Sequence, residues 1–194
     1  MGRNASAYIV TWDEMLHRFP SFAALDDLHS FLTYSGGHEV VVPEAQSWLT
    51  IYPLPWELFV WKAAFCVSEN YHALRVTLPR TQQQLADELF GNLFVYWSVD
   101  DLPSPSCRYA DDLRYFIDQD ETDRVISLSP SRIKHLLSLA QQLNWSVFEQ
   151  AFEPQTPDCY IPDFLAFQDY VQNWLKLLKQ TERQFEKGLV ITVE

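Results

Sequence analysis

The chain is poor in glycine, cysteine, methionine and positive charge, with 5 glycines, 3 cysteines, 2 methionines and 14 lysines plus arginines in 194 residues. Its few glycines form neither a G-x-G-x-x-G turn nor a Walker loop, which excludes the backbone cradles that nucleotide phosphates require. No G-x-S-x-G elbow occurs. Cys66, Cys107 and Cys159 are far apart and odd in number, so their spacing describes neither a C-x-x-C metal knuckle nor a disulfide framework. None lies among basic residues or glycines that would stabilise a thiolate. The expectation that follows is a reducing compartment, the cytoplasm.

The 14 basic residues face 26 acidic ones, for a formal net charge of −12. Such a chain repels phosphate backbones and anionic headgroups, which argues against nucleic-acid and membrane-surface binding and leaves a basic protein as the partner that charge favours. The longest apolar run, LFVWKAAFCV, is too short for a membrane span and contains Lys62. The opening MGRNASAYIVTWDEM lacks the continuous apolar stretch of a signal peptide.

Aromatic residues are abundant: 7 tryptophans, 9 tyrosines and 13 phenylalanines. Trp56, Phe59, Trp61, Tyr71, Tyr96 and Trp97 admit two readings, a pocket for a flat or sugar-like ligand or parts of a core. The core is favoured, because Trp56, Phe59 and Val60 fit a buried helical face and residues 94–97 a buried strand.

Periodicity gives the order of elements. Residues 5–10 read as a strand, and Thr11 with Glu14 forms a capping box for a short helix. Pro20 opens a helix carrying Phe22, Leu25, Leu28, Phe31 and Leu32 on one side, which Gly36-Gly37 ends. Residues 40–42 and 48–52 read as extended, and 56–67 as a buried helix. Thr81 with Gln84 offers a second capping box, for a helix ending near Gly91. Residues 100–123 hold eight acidic residues, two arginines, Pro103 and Pro105, the composition of a solvated loop. Ser129-Pro130 marks the start of a helix with Ile133, Leu136, Leu137, Ala140 and Leu143 in its stripe. After Pro162 the longest periodic segment places Phe164, Phe167, Val171, Trp174, Leu178 and Phe185 on one face. Asp163 and Asp169 sit early in it, and Lys176, Lys179, Arg183 and Lys187 late, as the helix dipole favours. Gly188 supplies a C-cap and residues 189–193 a closing strand. The sum is a single α+β domain over residues 1–194. Its mixed or antiparallel sheet includes the N- and C-terminal strands and is packed by several helices, with a long one near the C-terminus.

Several stretches resemble the YfbM-like family of small bacterial proteins, whose activity is not established. RVISLSPSRIKHLLSLAQQLNWSVFEQAFEP is similar to that family's extended segment, its helix start at "L-T/S-P" and the short helix that follows. IPDFLAFQDYVQNWLKLLKQTERQFEKGLVITVE is similar to its long final helix, glycine stop and closing strand, and MGRNASAYIVTWDEM to its opening strand and helix. In ALDDLHSFLTYSGG, Leu28, His29, Phe31, Leu32 and Thr33 fit a family helix, though Leu28 stands where an aromatic is usual and an early lysine is absent. The resemblance covers about half the chain. It implies a fold and no reaction.

The candidate chemistry is thin. His38-Glu39 invites a zincin reading, but the residue four on is Val42 and the run that follows is β-like, so no second histidine shares a helical face. Asp118 and Asp120 begin a calcium-loop spacing that fails where Asp123 replaces the required glycine and Ser129 the bidentate glutamate. Asp111 and Asp112, like Asp100 and Asp101, are adjacent and point apart. His17, His29, His72 and His135 sit in apolar patterns and read as structural. No cofactor and no metal is expected.

Two functions remain. One is a non-catalytic module of the bacterial cytosol that offers acidic residues, Asp111, Asp112, Asp118 and Asp120 among them, to a basic protein, as an immunity-type protein does to a toxin. The other is a small-molecule binder or enzyme with an aromatic-lined cleft near His29, His38 and Glu39, where the two histidines bracket the Gly36-Gly37 turn.

Overall fold

Alternating small and β-branched residues near both ends of the chain form the centre of one sheet. A computed structural model gives the fold and describes residues 5–19, 48–54, 58, 61–93, 114–116, 124–153 and 160–193. Strand β1 (Ala5–Thr11) runs into helix α1 (Trp12–Arg18), and β2 (Leu49–Tyr52) follows. Helices α2 (Trp61–Arg75) and α3 (Arg80–Leu93) precede β3 (Arg114–Phe116) and β4 (Arg124–Leu128). Then come α4 (Pro130–Gln142), α5 (Trp145–Ala151), α6 (Phe164–Glu182) and β5 (Lys187–Val193). The strand order is β2-β1-β5-β4-β3, and every described pairing is antiparallel. The α+β class, the terminal strands in the sheet and the long late helix are as the sequence predicts.

Strands alternate their side chains between two faces. On one face Ala5, Ala7, Ile9, Leu128, Leu189 and Ile191 join the larger core, with Phe167, Val171, Trp174 and Leu178 of α6. Helices α4 and α6 pack on β5, and α3 packs on α4. On the other face Tyr8, Val10 and Val190 meet Trp12, Met15, Trp48 and Leu49. Both faces of β1 and β5 are therefore dry, which is why YIV and LVITV read as near-continuous apolar runs.

Among the described residues, nine aromatic side chains are buried in the two cores. Phe90 of α3 takes Tyr71 edge-on at 4.8 Å, Phe148 at 6.1 Å and Phe167 at 5.9 Å, joining four helices. Edge-to-face pairs of this kind add roughly 1 kcal/mol beyond area burial. Of the six rings considered for a pocket, Tyr71 is fully buried in this cluster. Trp56, Phe59, Tyr96 and Trp97 lie outside the described residues.

Local caps differ in part from expectation. Ser129 caps α4 as predicted, its Oγ accepting from the Arg132 backbone N–H at 3.1 Å, and Asp163 caps α6 in the same way from Ala166 at 2.8 Å. The Thr11 box does not form. The Thr11 hydroxyl accepts from Lys187 Nζ at 2.5 Å instead, while Glu14 accepts from Arg18 at 2.8 Å. Helix α3 starts one residue before Thr81, with the Gln83 N–H already donating to Pro79 O at 2.9 Å, and it runs past Gly91.

The end of α6 is also corrected. The left-handed residue there is Glu186, with φ 57°, not Gly188. Gly188 lies in β5, where the Trp12 ring occupies the space a Cβ would take and Leu128 O stands 2.9 Å from it. Phe185, placed by its spacing in the apolar stripe, falls in the turn after the helix and is 86% exposed. Within residues 100–123, 114–116 form a strand rather than loop. Cys66, half-buried on α2, is disulfide-bonded. That overturns the reading of the cysteines as no disulfide framework and removes its support for a reducing compartment.

Candidate functional site

The richest polar chemistry among the described residues is carried by α3, an amphipathic helix with two adjacent carboxylates, Asp87 and Glu88. Neighbours on a helix point about 100° apart, so the pair faces two different helices. Asp87 turns to α2. Arg75 Nε donates to its Oδ1 at 2.6 Å and Nη2 to its Oδ2 at 2.7 Å, and the Tyr71 hydroxyl donates to Oδ1 at 2.7 Å. This fork-on-carboxylate geometry is the strong form of the ion pair. Burial, reinforced by the Asp87 carboxylate, holds the Tyr71 phenol far above its ordinary range. The hydrogen bond to Asp87 raises the Arg75 guanidinium above its own ordinary value, so it is charged throughout the working range.

Glu88 turns to α4. Arg132 Nη1 donates to Glu88 Oε1 at 3.1 Å, and His135 Nε2 lies 2.8 Å from the same oxygen. Arg132 is buried, with 3% of its side chain exposed, whereas Glu88 and His135 keep 40% and 33%. Burial pushes the Glu88 carboxyl upward, but His135 and Arg132 outweigh it and hold the group below its ordinary value.

Both clusters are staples between helices. The Asp87 cluster is mostly withdrawn from solvent, with 16% of the Asp87 side chain and 21% of Arg75 exposed. Each carboxylate is engaged by cations already in the chain. No group of three or more histidine, cysteine, aspartate or glutamate side chains among the described residues could hold a metal ion.

Cavities lined by described residues flank these helices. An open groove of about 550 Å³ runs between the α2–α3 turn and α5, lined by Leu74, Thr77, Pro79, Val147 and Ala151 among others. Among its described lining residues, Thr77 carries a hydroxyl, which donates to Leu74 O at 2.7 Å. A smaller cavity of about 200 Å³ lies where α1, α4 and the α6–β5 turn meet, and it mixes Lys134 and Lys187 with Asp13, Glu182 and Glu186.

The residues singled out from sequence, His29, His38, Glu39, Asp111, Asp112, Asp118 and Asp120, all lie outside the described residues, as does Val42. Of the histidines read as structural, His135 joins the Glu88 cluster, whereas His17 and His72 are exposed. Sequence reading missed Asp87, Glu88 and Arg132. Two signals bear on them: adjacent carboxylates beside the apolar stripe of α3, and an arginine next to Ile133 in the first turn of a capped helix.

No helix among the described residues is long and apolar enough to cross a membrane. No protein-family model, curated protein or solved structure matches this chain.

Proposed function

We propose that this protein is a non-catalytic interaction module that offers acidic residues to a basic protein partner. The observation that carries the reading is where the charge lies. The described residues hold 12 of the 14 basic residues and 11 of the 26 acidic ones, which leaves 2 basic and 15 acidic residues elsewhere in the chain. Charge among the described residues is thus close to balanced, and the acidic excess lies elsewhere in the sequence, with four carboxylates and no lysine or arginine in 20–47 and eight carboxylates against two arginines in 94–123. The polar clusters of the framework support the same reading, since their carboxylates are engaged by arginines and a tyrosine or histidine of neighbouring helices.

Excess negative charge of this kind steers a basic partner into encounter and raises the association rate. Neutralisation of a basic toxin, in the manner of an immunity protein, is one concrete form. Kinship with the YfbM-like family belongs to the proposal and rests on the motifs at the two ends of the chain. A cytoplasmic setting is at odds with the disulfide at Cys66.

The test is capture from native bacterial lysate at low and high salt, with the wild type beside a variant carrying Asp111→Asn, Asp112→Asn, Asp118→Asn and Asp120→Asn. The expected result is a basic protein retained at low salt by the wild type, lost at high salt, and retained less by the variant. Retention that ignores both salt and the four substitutions, or no retention at low salt, refutes the reading.

A further inference from the structure

We propose that the face around the α6–β5 turn is a self-association surface, on which Phe185 of each chain enters the small cavity of a second copy related by two-fold symmetry.

The turn presents its aromatic residue to solvent in a fixed conformation. Phe185 is 86% exposed and precedes Glu186, whose backbone takes the left-handed conformation, φ 57°, that residues with a Cβ rarely adopt. Hydrogen bonds pin that conformation. Gln184 N–H donates to Thr181 O at 3.0 Å, Lys187 N–H to Gln184 O at 3.3 Å, and Trp12 N–H to Glu186 O at 3.1 Å. An aromatic residue on a backbone already fixed loses little freedom when a partner covers it, which suits it to anchor an interface.

Beside the ring lies the cavity of about 200 Å³. It is smaller than the roughly 300–1,000 Å³ of pockets that take small molecules, and nearer the size of one aromatic side chain. Buried Trp12 and Pro130 of α4 contribute apolar lining. Lys134 and Lys187 line it together with Asp13, Glu182 and Glu186, and no ion pair joins any of these five to another described residue. The Lys187 ammonium donates one hydrogen to the Thr11 hydroxyl and has two left. A ring beside a cavity, with both signs of charge around them, meets the requirement of an isologous interface, in which each patch must fit a copy of itself. A wholly basic partner would meet the lysines, and a wholly acidic one the carboxylates.

One ring and five charges make a small contact beside the roughly 800 Å² per partner of stable complexes, so a dissociation constant on the order of 100 µM is expected. The net charge of −12 opposes association at long range, and salt at about 0.15 M screens it beyond about 8 Å. The residues of this face are distinct from the aspartates assigned to a basic partner, so either reading stands if the other fails.

Sedimentation equilibrium at about 0.15 M salt is the test. The weight-average mass of the wild type is expected to rise from near the chain's 22.7 kDa at about 5 µM toward twice that at about 500 µM. Phe185→Ser is expected to keep the single-chain mass over that range, and to match the thermal midpoint of the wild type at about 5 µM, where both are single chains. Lys134→Glu makes the lining charges mostly acidic, and Glu182→Lys with Glu186→Lys makes them mostly basic. Each of these variants alone is expected to associate less than the wild type, and their equimolar mixture more strongly than either. Single-chain mass for the wild type throughout overturns the proposal and leaves the face to a different protein. Association undiminished in Phe185→Ser, or a mixture no stronger than its parts, overturns it as well.

Discussion

Replacing Asp87 with asparagine keeps the shape of the side chain and removes the charge that holds Arg75 and Tyr71. The wild-type carboxylate accepts three hydrogen bonds at 2.6 to 2.7 Å, two of them from the guanidinium. An exposed ion pair contributes no more than about 1 kcal/mol, and breaking a buried one costs about 3–5 kcal/mol. With 16% of the Asp87 side chain and 21% of Arg75 exposed, the pair lies nearer the buried limit. The asparagine carbonyl still accepts one bond, but its NH2 group faces the guanidinium, so the expected loss is about 2–3 kcal/mol. For a chain of this length that lowers the thermal midpoint by roughly 5–10 °C, measured by circular dichroism alongside urea midpoints. Tyr71→Phe removes only the hydroxyl and is expected to cost about 1 kcal/mol. The double variant should lose less than the sum, because both changes remove the same hydrogen bond. The phenol has its own pH signature. Its folded pKa is raised, so the unfolded chain ionises first: the Tyr71 contribution is full below about pH 10 and is lost as pH rises beyond it. Tyr71→Phe should therefore flatten the alkaline limb of stability against pH. A loss below about 0.5 kcal/mol in Asp87→Asn, with strict additivity, would refute the account of this cluster as a helix staple.

Three further outcomes follow from other sites. Glu88, whose folded pKa is lowered, contributes stability that is present above the ordinary glutamate value and lost as pH falls through the folded one, so Glu88→Gln should blunt the fall in urea midpoint below about pH 4.5. Gly188→Ala forces a methyl group into the Trp12 ring and against Leu128 O, and a loss of about 3 kcal/mol with altered tryptophan fluorescence is expected. Phe185→Ser should leave the thermal midpoint within about 1 °C of wild type, since the ring is 86% exposed and lies outside both cores.

Where a local rule and burial agreed, the fold was legible. Ser129 caps its helix as read, because it offers a side-chain oxygen just ahead of Pro130 and an apolar stripe. The terminal strands were readable because β-branched residues filled them. Errors arose where a distant partner competed for a local bond. The hydroxyl of Thr11 is claimed by Lys187, 176 residues away, which no window of local sequence contains. The glycine at 188 was given a turn role it does not have, because the ring it makes room for is contributed by Trp12 at the other end of the chain. Phe185 continued a helical spacing past the point where the helix had stopped. The adjacent carboxylates were passed over for a similar reason: their cations lie on α2 and α4, 12 and 44 residues away. Charge, by contrast, was legible both as a total and in its concentration along residues 100–123, because neither depends on a distant partner.

The pairing of β1 with β5 sets a timetable for folding. The central strand β5 and its neighbour β1 are last and first in the described chain, in register from Ala5↔Val193 to Thr11↔Lys187. As the chain leaves the ribosome, β1 finds only β2 for a neighbour, while Tyr8, Ile9 and Val10 present a long apolar edge with no strand to close it. The sheet joins up only when residues 187–193 have been made, so its two halves meet late and over the longest span the topology allows. A ribosome stalled before residue 187 would hold a nascent chain with helices but no finished sheet, open to proteases and chaperones until release.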